Sequence, residues 1–228
     1  MDDRPGRQLD ELVARVDEDR WLSSRYARPA DRAALIALYG LNYELARIRL
    51  AVREPGLGAI RFQWWRDGLA ADGRAGTGGR HVVTEVLTPL LEAGKIPHGA
   101  VDVLIDGHQD AFEQKNRALE PEAALARFAM DIVGGDGEGP PPDVSPIARA
   151  YAAARRGEAG QASRGAEPGT GPKPRPADGP VSAGLTIPVV YRPAVAHLVL
   201  RHAYRADRTP GALEKRWRIM RAHLTGRI

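Results

Sequence analysis

The stretch ALIALYGLNYELARIRLAVREPGLGAIRFQWWRDGL, Ala34 to Leu69, decides the fold. Within it and just beyond, Leu35, Leu38, Leu41, Leu45, Ile48 and Val52 recur at steps of three and four, the period of one helical face. This predicts a buried helix from Ala30 to Val52. Asp31 suits the positive end of its dipole, and Glu54-Pro55-Gly56 stops it because proline cannot continue the hydrogen-bond ladder. A second helix is expected from about Leu57 to Ala71, carrying Ile60, Trp64 and Leu69, so that the two form an antiparallel pair.

The same period runs on through the chain. After the Gly-rich loop Asp72 to Gly79, a helix is expected from His81 to Glu92, another from Pro97 to about Arg117, and a third from Pro121. Residues 134–146 are rich in Gly and Pro, a short helix follows from Pro146 to Arg156, and residues 157–184 are dense in Gly, Pro, Ala and Arg, a composition that buries almost nothing. The expected organisation is a helical core over 1–156, a linker over 157–184 and C-terminal helices over 185–228 packing on the core. The fold class is all-α.

Composition narrows the chemistry. The chain has 228 residues, 43% of them apolar, which is enough for a core of ordinary size. It has no cysteine, so disulfides and thiolate metal sites are excluded. The formal net charge of +4 comes from dispersed arginine and a basic tail between Lys215 and Arg227, with no zinc-finger spacing and no RNA-binding signature, so nucleic acid is not the expected partner. The N-terminus has no signal pattern and no apolar run reaches the length of a spanning helix, which points to the cytoplasm. In the tail, Leu213, Trp217, Met220 and Leu224 share a face among Arg216, Arg218 and Arg221. Two readings stand: a helix lying on an anionic membrane, peripheral to the inner membrane, or a helix packed on the bundle with a solvated basic side.

Residues 34–69 resemble the N-terminal core of the squalene and phytoene synthase superfamily, an isoprenoid-synthase-like bundle shortened here in its second half. Setting Leu38-Tyr39 on the Leu-Tyr of that family places its first aspartate-rich motif on Ala46, Arg47, Ile48, Arg49 and Leu50. Magnesium takes hard oxygen ligands, and these positions supply none. Setting Arg156 on the arginine of the second motif puts Gly157 and Gln161 where its aspartates would be, and no aspartate occurs between Asp143 and Asp178. Asn42, Glu44, Leu45 and Ala46, followed by the Glu54 to Asp67 segment, look more like the branch that includes bacterial homologues of a respiratory complex I assembly factor. Lys215 to Arg221 and Thr225 to Ile228 look like the end of that branch. The resemblance implies a protein that binds an isoprenoid or a protein partner without catalysis and without a cofactor. The rival is a Mg-dependent prenyl transferase joining prenyl diphosphates head to head.

No catalytic residue is assigned. The candidates for lining a ligand cavity are Tyr39, Asn42, Glu44, Arg47, Trp64 and Arg66. Asn42 and Glu44 interrupt or flank the apolar face of the first helix, and a carboxylate there needs a partner, Arg47 or an arginine of the second helix. Tandem Trp64 and Trp65 fit either a prenyl-chain wall or one ring in the core and one at its rim. Asp102, Asp106 and Asp110 fall at i, i+4 and i+8 on one helical stripe, which fits either a weak cation site or a polar face with ion pairs to arginines; His108 points elsewhere. Asp67 is expected to pair with an arginine one turn away. The six histidines show no metal-ligand spacing.

Overall fold

The computed structural model describes residues 4–70, 81–135, 140–157, 185–205 and 209–228. Among these the chain is helical without a strand: α1 (Arg4–Val16), α2 (Glu18–Ser24), α3 (Pro29–Ala51), α4 (Pro55–Leu69), α5 (Val82–Glu92), α6 (His98–Glu113), α7 (Glu122–Gly134), α8 (Ser145–Arg155), α9 (Arg192–Val195), α10 (Arg201–Arg205) and α11 (Ala212–Thr225). Short 3-10 turns occupy Arg117–Leu119, Val189–Tyr191 and Ala196–Leu200. One isolated bridge joins Thr186 to Arg227. No helix of the described residues is long and apolar enough to cross a membrane.

The central element is α3, whose residues Ala34 to Asn42 are all buried together with Leu45 and Ile48. It begins at Pro29, whose fixed φ fits the first helical position, and ends at extended Val52. The second helix starts at Pro55, two residues earlier than the spacing alone suggests, because the proline that ends α3 also opens α4. Packed round α3 are α1, α2, α5, α6 and α7, with α4 resting mainly on α6. Gly58 permits that contact: a Cβ there would lie 2.1 Å from Phe112 Cε1. Val83, Leu87 and Leu91 of α5, and Leu125, Ile132 and Val133 of α7, are buried, while Val86, Leu90 and Phe128 are only partly covered.

Two N-terminal helices were not legible in the spacing. Leu9 and Val13 of α1 are fully buried, and α2 buries Asp19, Arg20, Ser23 and Ser24, a polar face that no apolar period announces. The C-terminal segments pack on this end: α11 meets the Ala196–Leu200 turn and α2. The linker expected over 157–184 lies outside the described residues, apart from Gly157.

Candidate functional site

A groove of about 540 Å³ opens between α3 and α4. Its walls are Ile48 and Ala51 of α3 and Ile60, Trp64 and Trp65 of α4, and its charged groups are Glu44, Arg47 and Arg61. Glu44 is occupied by its neighbour, with Arg47 Nη1 donating at 3.0 Å, and the Arg47 guanidinium also lies 5.6 Å from the Tyr43 ring. Trp65 is buried and Trp64 half-covered, the two rings meeting edge to face at 5.0 Å. One ring therefore belongs to the core and the other to the groove. His81 closes one end, its ring 5.1 Å from that of Trp65. Its position follows from its second task as N-cap of α5, where Nδ1 accepts from the Val83 N–H at 3.2 Å. With one of two cations neutralised by Glu44, the groove offers an apolar floor and a net positive rim. Such a surface takes a ligand with a hydrocarbon body and an anionic head.

The structure brings Glu44, Arg47 and Trp64 together here and places the other three candidates elsewhere. Tyr39 is enclosed in the core, donates from its hydroxyl to the Ala194 carbonyl at 3.4 Å and lies under the Arg20 guanidinium. Asn42 is buried and paired: its Oδ1 accepts from His108 Nε2 at 2.9 Å, tying α3 to α6. Arg66 turns away to Asp106 Oδ1 at 2.6 Å. The departures of Tyr39 and Asn42 have one cause: α3 is buried throughout Ala34 to Asn42, so a polar residue there faces a neighbouring helix rather than a cavity.

The aspartate stripe of α6 faces solvent, with Asp102, Asp106 and Asp110 all exposed. It has no cavity to face, and Asp106 takes the arginine ion pair from α4. His108 does point elsewhere, into the core. Asp67 is held by Gln63 Nε2 at 2.7 Å rather than by an arginine. Among the described residues no group of three or more His, Asp or Glu side chains is placed to hold a metal ion.

The positions where the family's first acidic motif would fall carry the opposite charge. Arg47 borders the groove, and Arg49 pairs with buried Glu120, which also takes Arg156 Nη1 at 3.2 Å and Arg117 Nε at 3.4 Å. Residues from the end of α3 and from just beyond α8 thus meet on one carboxylate. Ala46, Ile48 and Leu50 have no donor atom at all. This set does not fit magnesium, which needs several oxygen ligands and would be repelled by the three guanidinium groups.

A second polar assembly was missed by sequence reasoning. Arg20 of α2 donates to Asp17 Oδ2 at 2.6 Å and pairs with Glu122 of α7. Asp17 also receives Arg155 of α8 at 2.7 Å. Asp19 accepts from the hydroxyls of Tyr151 and Tyr204, at 2.8 and 2.6 Å, and pairs with Lys215 of α11 at 3.0 Å. Burial pushes the Asp17 carboxyl up, but the charges of Arg20 and Arg155 outweigh it and hold the group well below the usual carboxylate range. His197, ring-on-edge to Tyr151 at 5.1 Å, is pushed down to about 3 by burial, with Arg20 adding to the effect. His108 is likewise pushed down to about 3 by burial, then by Arg49 and Arg20. The one signal in the sequence was the dense Asp17-Glu18-Asp19-Arg20 run, too charged for a surface turn with nothing to neutralise it.

Apart from His197, whose Nδ1 is buried without a hydrogen-bond partner among the described residues, these groups pair with one another and so bind segments of the chain together. The groove between α3 and α4, by contrast, is open, and among the described residues its Arg61 edge carries no carboxylate. No curated protein and no solved structure matches the chain. The family model for squalene/phytoene synthase matches residues 13–136, more than half of the chain. With α2 through α7 inside that match, the chain belongs to the squalene/phytoene synthase family.

Proposed function

We propose that this chain is a family member without catalysis, which holds an isoprenoid bearing an anionic head in the groove between α3 and α4 and serves as a binding or assembly protein. The observation that carries this reading is the pairing of an apolar groove with Arg47, in the stretch of α3 on which the resemblance sets the family's first acidic motif, and with Arg61 facing it from α4. Ionising an allylic diphosphate requires neutralising the leaving group, and losing the metal costs several powers of ten in rate. Arginine can still contact a phosphate through its planar fork, which supports binding without turnover. The assembly role is supported by the resemblance of Asn42 to Ala46 and Glu54 to Asp67 to the complex I assembly-factor branch, and analogy of fold alone does not fix it.

The test is calorimetric titration with farnesyl diphosphate and with farnesol, with and without magnesium, following product in the same samples. Expected is binding of the diphosphate without metal, weakened at least tenfold by the Arg47→Glu, Arg61→Glu double substitution, as two charge reversals beside a phosphate dictate. Magnesium-dependent turnover would establish the prenyl transferase instead. Absence of binding would remove the groove assignment.

A further inference from the structure

We infer that the outer face of α11 is a docking surface for an anionic phospholipid bilayer. The helix is held on one side only. Ile219 and Ala222 are buried, and Lys215 reaches Glu18 at 2.9 Å and Asp19 at 3.0 Å, fixing the inner face to α2. Its end is fixed as well. Arg192 donates to the His223 and Leu224 carbonyls, both at 2.9 Å, and Gly226 takes the left-handed conformation, where a Cβ would press on the Ile187 carbonyl. The helix is a rigid mount, and what it presents outward is set by its pitch.

That outward face is apolar. Leu213 is 82% exposed, Trp217 52%, Met220 41% and Leu224 67%. At about 100° per residue these four fall within about 60° of one another, diametrically opposite Lys215, Ile219 and Ala222. Four large apolar side chains in one unbroken row are not the scattered exposure of an ordinary surface. Arg216 lies to one side of the row and Arg221 to the other, the latter 5.4 Å from the Trp217 ring. Among the described residues no carboxylate pairs with Arg216, Arg221 or Arg227, whereas the two other cations of this segment are spent on Glu18, Asp19 and Glu214. On the Arg221 side a groove of about 260 Å³, floored by Val199 and Ala222 and edged by Arg218, Arg221 and Arg227, has room for a phosphate headgroup.

Charge chooses the occupant. An apolar ridge flanked on both sides by unneutralised guanidinium groups matches a plane of hydrocarbon beneath a layer of phosphates, with tryptophan at the boundary between them. The surface is independent of the groove between α3 and α4, which shares no residue with it.

The test is co-sedimentation of the full chain with vesicles of phosphatidylcholine alone and of three parts phosphatidylcholine to one part phosphatidylglycerol. Binding is expected to the anionic vesicles only and to fall as salt rises from about 0.1 to about 0.5 M, since screening shortens the reach of the arginines. Each basic side chain near such a surface contributes roughly fivefold to partitioning, so Arg216→Gln with Arg221→Gln should lower it about 25-fold. Trp217→Ser with Leu224→Ser should abolish it, and both variants, altered only at exposed positions, should melt as the parent does. No binding to anionic vesicles, equal binding to neutral ones, or binding untouched by either variant overturns the inference. So does a concentration-dependent dimer in sedimentation velocity that the Trp217→Ser, Leu224→Ser variant abolishes, which would show a second copy covering the row.

Discussion

Acidification from about pH 7 to about pH 5 should cost this fold close to half of an ordinary domain's stability, through two histidines. His108 and His197 are both buried, and each is held in the neutral form with a folded-state pKa of about 3 against an ordinary 6.5. A base depressed on folding takes up its proton in the unfolded chain first, so the stability it confers is complete above about pH 6.5 and is lost as pH falls toward 3. Between pH 7 and pH 5 the loss is about 2 kcal/mol for each histidine, about 4 kcal/mol together, with a limiting slope of about 1.4 kcal/mol per pH unit each. His223 is also pushed down, by burial and then by Arg192, and adds in the same direction. Asp17 and Asp19, held below the usual carboxylate range, lose their share only below about pH 4, so the two windows separate. Urea unfolding followed by circular dichroism at successive pH values measures the slope. His108→Gln, which keeps an N–H for Asn42 Oδ1, and His197→Phe, which keeps a ring against Tyr151, should each remove one histidine's share of it. A stability constant between pH 7 and pH 5, or a slope that neither variant changes, refutes the reasoning.

The other predictions concern packing and charge. Arg20→Met should destabilise by about 3–5 kcal/mol in urea unfolding, because it leaves Glu122 and part of the Asp17 charge buried without the guanidinium that neutralised them; a loss below about 1 kcal/mol would mean the network is solvated. Gly58→Ala gains about 1 kcal/mol in helix propensity but drives a Cβ into the Phe112 ring, so it should still destabilise, by about 1–2 kcal/mol. In a Phe112→Leu background the same change should become neutral or stabilising, and failure of that reversal would discard the steric account.

Legibility in the sequence followed the range of the interactions. The apolar row Leu35 to Val52 located α3, Pro55 marked its end and Pro121 the start of α7, because a helical period and a proline's φ are local properties. Of the two partners expected for Glu44, the structure shows Arg47, three residues on, within reach for the same reason. The partner of Asn42 was not legible, since spacing tells that a residue breaks an apolar face but not that His108, 66 positions on, sits opposite. Of the Arg20 assembly only the charged Asp17–Arg20 run was visible, and its long-range partners were not: Glu122 is 102 positions from Arg20, and Arg155 is 138 from Asp17. For α11 the sequence gives the row Leu213, Trp217, Met220 and Leu224, and only the packed chain tells that this row faces outward while Ile219 and Ala222 face in.

The arginines at the end of α3 are built into the packing of the bundle. Two like charges within one turn of a helix repel each other, and a carboxylate beside each offsets that repulsion. Arg47 and Arg49 have the carboxylates Glu44 and Glu120. Glu120 in turn draws in Arg156 from beyond α8, so the ends of α3 and α8 are joined through one carboxylate. Arg49→Asp would therefore set two carboxylates against each other and leave Arg156 and Arg117 to neutralise both, so a loss of stability is expected in urea unfolding. Arg49→Gln, which removes the cation without adding a like charge, should cost less, because Arg156 and Arg117 still neutralise Glu120.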